Sequence, residues 1–181
     1  MKTVLCIGGL LAVAGVFAQD HEGLKKHPQP KVAATNAPVT QAEARATFIK
    51  AETVLRGALG MPASSPHVSI PDSDKPVGRD AVVAEMVRFI AVFKPKVKMT
   101  PSPVTFDARR LQMNGPQRSN LALLVRKGAV APVGPLATSK ENTLTVPQFG
   151  DAIGFLMARI AQMTHLPSSK WTPYLRPEGE G

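Results

Sequence analysis

QRSNLALLVRKGAVAPVGPLATSKENTLTVPQFGDAIGFLMARIAQMTHL, residues 117–166, is the stretch whose reading decides the fold. Leu121, Leu124 and Val125 fall on one side of a helix expected over Gln117 to Lys127, with Arg126 and Lys127 in its last turn and Gly128 as its stop. A spacer over 129–144 follows, in which Val130, Val133 and Leu136 are expected to pin the chain to the body. Thr145-Val146-Pro147-Gln148 then has the form of a capping box, with proline tolerated in the first turn. Behind it Phe149, Ile153, Leu156, Ile160 and Met163 recur at steps of four and three, the period of one helix face.

A looser copy of this unit lies upstream. Thr40-Gln41-Ala42-Glu43 is again a capping box, followed by Ala44, Phe48, Ala51, Leu55 and Ala58 on one stripe, with Gly57 and Gly60 closing the helix. Residues 61–77 read as a connection with at most one short extended piece near His67 to Ile70. Arg79 to Phe93 reads as a helix with two apolar rows, Val82, Met86, Phe89 and Phe93 beside Val83, Val87 and Ile90, stopped by Pro95. Lys94, Lys96 and Lys98 stand where cations complement the carboxyl end of a helix dipole. Setting Gly60 over Gly128 brings Gly78 within one position of Thr145, so helix, glycine, spacer and apolar helix occur twice. Between the copies, a turn of helix is expected at Arg109 to Met113, and Asn114-Gly115-Pro116 reads as a turn.

The flanks differ from this body. Lys2, the apolar run Val4 to Phe17 and the small residues before Gln19 read as a secretory signal over 1–18, too short for a membrane-spanning helix. Residues 19–37 read as a flexible leader, 38–166 as the domain, and 167–181 as a proline-rich tail holding Trp171 and Tyr174. Those two aromatics are expected to fold back over an apolar patch, with stacking on a sugar or a partner as the other use. The chain's single cysteine, Cys6, lies in the signal, which leaves the domain without a disulfide or a thiolate nucleophile.

The charge is +9, a balance suited to an acidic partner or simply to solubility. Arg109, Arg110, Arg118, Arg126 and Lys127 are candidates for a basic face, and Arg79 for gripping a carboxylate or phosphate with its forked guanidinium, unless it is only a solvated residue at a helix start. His21, His27, His67 and His165 have no metal-ligand spacing, no nucleophile elbow accompanies any serine, and no cofactor motif is present, so neither a metal site nor catalysis is expected. Basic and aromatic residues do not interleave, and no phosphate loop or zinc finger occurs, which argues against nucleic acid. The expected fold class is all-α, helix-loop-helix repeats packed as a small bundle.

Leu123 to Val130, the spacer with Leu136, and Leu144 to Phe149 resemble an S-layer homology repeat, with its glycine turn and its Thr-Arg-x-Glu helix start. Residues 38–166 are similar to three degenerate copies of it. The first keeps Thr40 and Glu43 with Gln41 in place of arginine; the second keeps Arg79 with Gly78 and Ala81 at the flanking positions; the third keeps Thr145 with Val146 and Gln148. Phe106-Asp107 stands where the family often has a Phe-x-Asp entry. The resemblance implies an exported, non-enzymatic domain at the periplasm or cell surface that binds an acidic cell-wall polysaccharide. It makes Arg79, Thr40, Gln41, Glu43, Thr145 and Gln148 the candidate ligand contacts. The other expectation is a helical scaffold that binds another envelope protein.

Overall fold

The computed structural model describes residues 36–97 and 104–171. The signal, nearly all of the leader, Lys98 and Tyr174 lie outside these residues. Five α-helices pack together: α1 (Gln41–Ala58), α2 (Arg79–Phe93), α3 (Gly115–Arg126), α4 (Pro135–Thr138) and α5 (Val146–Met163). The fold is all-α, and among the described residues there is no sheet, only isolated bridges.

Those bridges organise the bundle. Thr40 pairs with Pro76, Gly78 with Thr143 and Thr145 with Pro38, so the segments entering α1, α2 and α5 close a ring of three. The hydrogen bonds repeat around it. The first helical amide of each segment donates to the carbonyl three residues before the next helix's cap: Gln41 to Lys75 at 2.8 Å, Arg79 to Asn142 at 2.6 Å and Val146 to Ala37 at 3.0 Å. Val77 donates to Val39 and Val39 to Leu144, both at 2.9 Å, and these three side chains are buried at the ring's centre. The bonds from Gln41, Arg79 and Val146 satisfy helix-start amides that have no partner within their own helices.

The helices leave the ring in a common register. In each, the fourth, eighth, eleventh and fifteenth residues after the cap form the inner row: Ala44, Phe48, Ala51 and Leu55; Val82, Met86, Phe89 and Phe93; Phe149, Ile153, Leu156 and Ile160. All twelve are at most 1% exposed. Phe48 joins the three rows, with its ring 6.0 Å from that of Phe89 and 5.9 Å, edge-on, from that of Phe149.

α1, α2, α3 and α5 run in the same direction. α1 and α2 start together at the ring, and Glu52 pairs with Arg88 well along both. α3 starts beside α2, where the Asn114 amide donates to Asp80 at 3.3 Å, and ends beside the late turns of α5, where Arg159 Nε donates to the Gly128 carbonyl at 3.0 Å. Capping boxes at Thr40 and Thr145 open α1 and α5, as the sequence predicts. α1, α3 and α5 all end with the same paired closing bonds, the residue in the left-handed position being Gly60, Gly128 and His165 respectively. His165 is the only non-glycine residue with positive φ among the described residues, at 54°.

Several local expectations need correction. α3 begins at Gly115 because Asn114 accepts from the Gln117 amide and so caps a helix where a turn is expected. The spacer contains α4, which buries Leu136, whereas Val133 is 84% exposed and pins nothing. The helical turn near Arg109 is a 3-10 turn over Ala108–Arg110, capped by Asp107. The connection over 61–77 holds no helix, as expected, and buries Val68 and Ile70. Trp171, by contrast, folds back onto the body as expected: it is 4% exposed and belongs to the core cluster.

Phe48→Ala is expected to lower unfolding stability by about 3–5 kcal/mol, since it opens a cavity where three helices meet. Denaturant titration checks this. His165→Gly is expected to raise stability by roughly 0.5–1 kcal/mol by relieving the left-handed conformation, while Gly128→Ala lowers it. At Gly128 an added Cβ would also lie 3.1 Å from Arg159 Nη2.

Candidate functional site

The six candidate ligand contacts stand at the starts of α1, α2 and α5, and the ring brings all three starts to one end of the molecule. Their side chains face one another locally. Thr40 Oγ1 accepts from the Glu43 amide, and the Glu43 carboxylate accepts from both the amide and the hydroxyl of Thr40, at 2.8 and 2.9 Å. Thr145 and Gln148 form the equivalent box, with the Thr145 amide donating to Gln148 Oε1 at 3.0 Å. Gln41 Oε1 accepts from Ser73 Oγ at 2.9 Å, which ties the start of α1 to the loop before α2.

Arg79 is placed differently from a solvated helix-start residue, for it is fully buried. Its Nη2 donates to the carbonyls of Ser139, at 2.6 Å, and Glu141, so it holds the loop that enters α5. Nε and Nη1 are buried without a hydrogen-bond partner in the protein. Burial pushes the guanidinium pKa down, and Asp80 opposes that shift in part.

Two other arginines do the same for other loops. Arg45 Nη1 donates to the carbonyls of Val68 and Ile70 at 2.7 and 2.9 Å, and Arg118 Nη2 to those of Met113 and Leu111 at 2.8 and 3.4 Å. In each case one guanidinium takes two carbonyls two residues apart. Extended chain without a sheet partner has carbonyls that need a donor, and a forked cation supplies it.

The proposed basic face divides accordingly. Arg118 holds its own loop; Arg109 and Arg110 precede α3, whereas Arg126 and Lys127 close it, roughly 18 Å further along the helix.

A buried ionic cluster was not legible in the sequence. Glu52 and Glu85 are each 1% exposed, and Arg88 bridges them, donating to Glu52 at 2.8 Å and to Glu85. Arg56 adds a second bond to Glu52 at 2.9 Å, and the Ser69 amide donates to Glu85 at 3.0 Å. Burial disfavours the Arg88 cation, but its bonds to Glu85 and Glu52 more than offset this and raise its pKa. The only available signal was that these glutamates fall on the apolar faces of their helices. Among the described residues, no three His, Cys, Asp or Glu side chains come together as a metal site would require. No helix there is long and apolar enough to cross a membrane.

Arg79→Ala is expected to lower stability by roughly 3 kcal/mol, since it leaves a cavity and two carbonyls without their donor. Arg79→Met, which keeps the stem's volume, should cost less. Both variants should speed amide exchange over residues 139–143; unchanged exchange there would contradict the clamp.

Comparison of the chain with protein-family models, with curated proteins and with solved structures gives no match.

Proposed function

We propose that the chain is a non-enzymatic, exported module of the cell envelope that attaches non-covalently to an anionic cell-wall glycopolymer. The observation that carries this reading is the ring. The three helix starts that resemble S-layer homology motifs, Thr40 to Glu43, Gly78 to Ala81 and Thr145 to Gln148, meet there as one repeated unit. The basic balance, +9 with Lys2 of the signal and +8 without it, supports an acidic ligand, because a surplus of cations attracts a polyanion.

A second reading, a scaffold that binds another envelope protein, is favoured by one feature. An apolar recess between α4 and α5 is lined by Val130, Pro135, Leu136, Ala152 and Phe155, and the exposed Val133 lies beside it in the chain.

Sedimentation of the purified protein with isolated cell-wall sacculi, before and after removal of the acidic polymer and at low and high salt, tests the first reading. Retention is expected to need the polymer and to fall with salt. Retention that survives polymer removal, or its absence under all conditions, would overturn that reading in favour of a protein partner.

A further inference from the structure

The exposed carboxylates are sorted by their position along the parallel helices, whereas exposed cations occur at both ends. Every exposed or half-exposed carboxylate among the described residues lies before a helix or in its first two turns. Glu43 is in the first turn of α1; Asp72 and Asp74 precede α2, and Asp80 is in its first turn; Asp107 precedes α3; Glu141 precedes α5, and Asp151 is in its second turn. The two carboxylates further along, Glu52 and Glu85, are buried and paired with Arg56 and Arg88.

The opposite end carries cations. Lys94 and Lys96 are exposed just past α2; Arg126 is exposed in the last turn of α3, and Lys127, its half-exposed cap residue, follows. α2 packs more extensively against α3 than any other pair of elements does, and the two start side by side. With 15 and 12 residues they end within about 5 Å of each other along the bundle. These four cations therefore stand at one end of a packed pair of helices. Arg159, bonded to the carbonyl of Gly128, stands beside it. One cation per helix end would complement the dipoles; four on two adjacent ends, with no exposed carboxylate among them, leave an unbalanced positive field.

We propose that this patch, Lys94, Lys96, Arg126 and Lys127 at the carboxyl ends of α2 and α3, is the surface that takes a linear acidic polysaccharide. It lies at the end of the bundle opposite the ring. The proposal rests on the cell-wall reading for the source of the polymer and moves the binding surface away from the ring-end candidates Arg79, Thr40, Gln41, Glu43, Thr145 and Gln148, whose side chains bond within the chain. The cations lie on two rigid helix ends, so a chain of regularly spaced carboxylates or phosphates meets several at once. Binding is then multivalent, sensitive to salt and tolerant of sugar identity.

The test compares two matched quadruple variants of the full chain. K94Q/K96Q/R126Q/K127Q neutralises cations that close α2 and α3, and K75Q/R109Q/R110Q/K140Q neutralises an equal number that precede α2, α3 and α5. Thermal unfolding of both establishes that the fold persists. Each is then measured on sacculi bearing their acidic polymer and on immobilised polygalacturonate. The first set is expected to weaken binding to either probe by about tenfold or more and to flatten its salt dependence, the second by less than about threefold. Equal losses, or a larger loss from the second set, would overturn the assignment. Binding to polygalacturonate that depends on the first set, without retention on sacculi, would uphold the surface and remove the cell-wall reading; binding of the parent protein to neither probe would overturn both.

Discussion

The constraint on which the rest of the structure depends is the backbone ring that joins residues 37–41, 75–79 and 142–146. Helix starts present amides without partners, and here those amides are satisfied by the entering segment of another helix. That arrangement fixes three things at once: the helices must run parallel, their first inner residues must sit at one level, and the chain must return to the ring after each helix. The long loops 61–77 and 128–144 are the return paths. Phe48, meeting Phe89 and Phe149, shows the level packing that results.

Parallel helices carry an electrostatic consequence. Their like dipole ends are gathered together, positive at the ring and negative at the far end, a less favourable arrangement than an antiparallel bundle. The side chains oppose it: carboxylates such as Glu43 and Asp80 lie near the ring, and Lys94, Lys96, Arg126 and Lys127 lie beyond the far ends. Exposed carboxylates are thus confined to the ring side, while cations occur at both ends and stand alone at the far one.

Returning loops have a second requirement, because their carbonyls lie in partly buried, irregular chain. Arg45, Arg79 and Arg118 meet it in the same way, each spanning two carbonyls. The Glu52, Glu85 and Arg88 cluster links α1, α2 and the loop at Ser69 in a similar spirit, with full partners for both buried carboxylates. These polar contacts select one arrangement of loops on helices that apolar burial alone would leave less well defined.

The sequence by itself determined the helices that matter most. Caps at Thr40 and Thr145, stops at Gly60 and Gly128, and inner rows such as Phe149, Ile153, Leu156 and Ile160 are local signals, written in side-chain chemistry within a few residues. The repeat was visible for the same reason, since equal spacing between a stop and a start needs no knowledge of the fold. Only the tertiary structure decided the ring, whose bonds are made by backbone groups that every residue carries. It also decided the role of Arg79: a guanidinium at a helix start looks the same in sequence whether it faces water or the carbonyls of Ser139 and Glu141. Val133 is exposed although its neighbourhood suggests burial, because burial depends on what the returning chain covers. The basic end was hidden likewise, since Lys94 and Arg126 become neighbours only when α2 and α3 start together and run in the same direction.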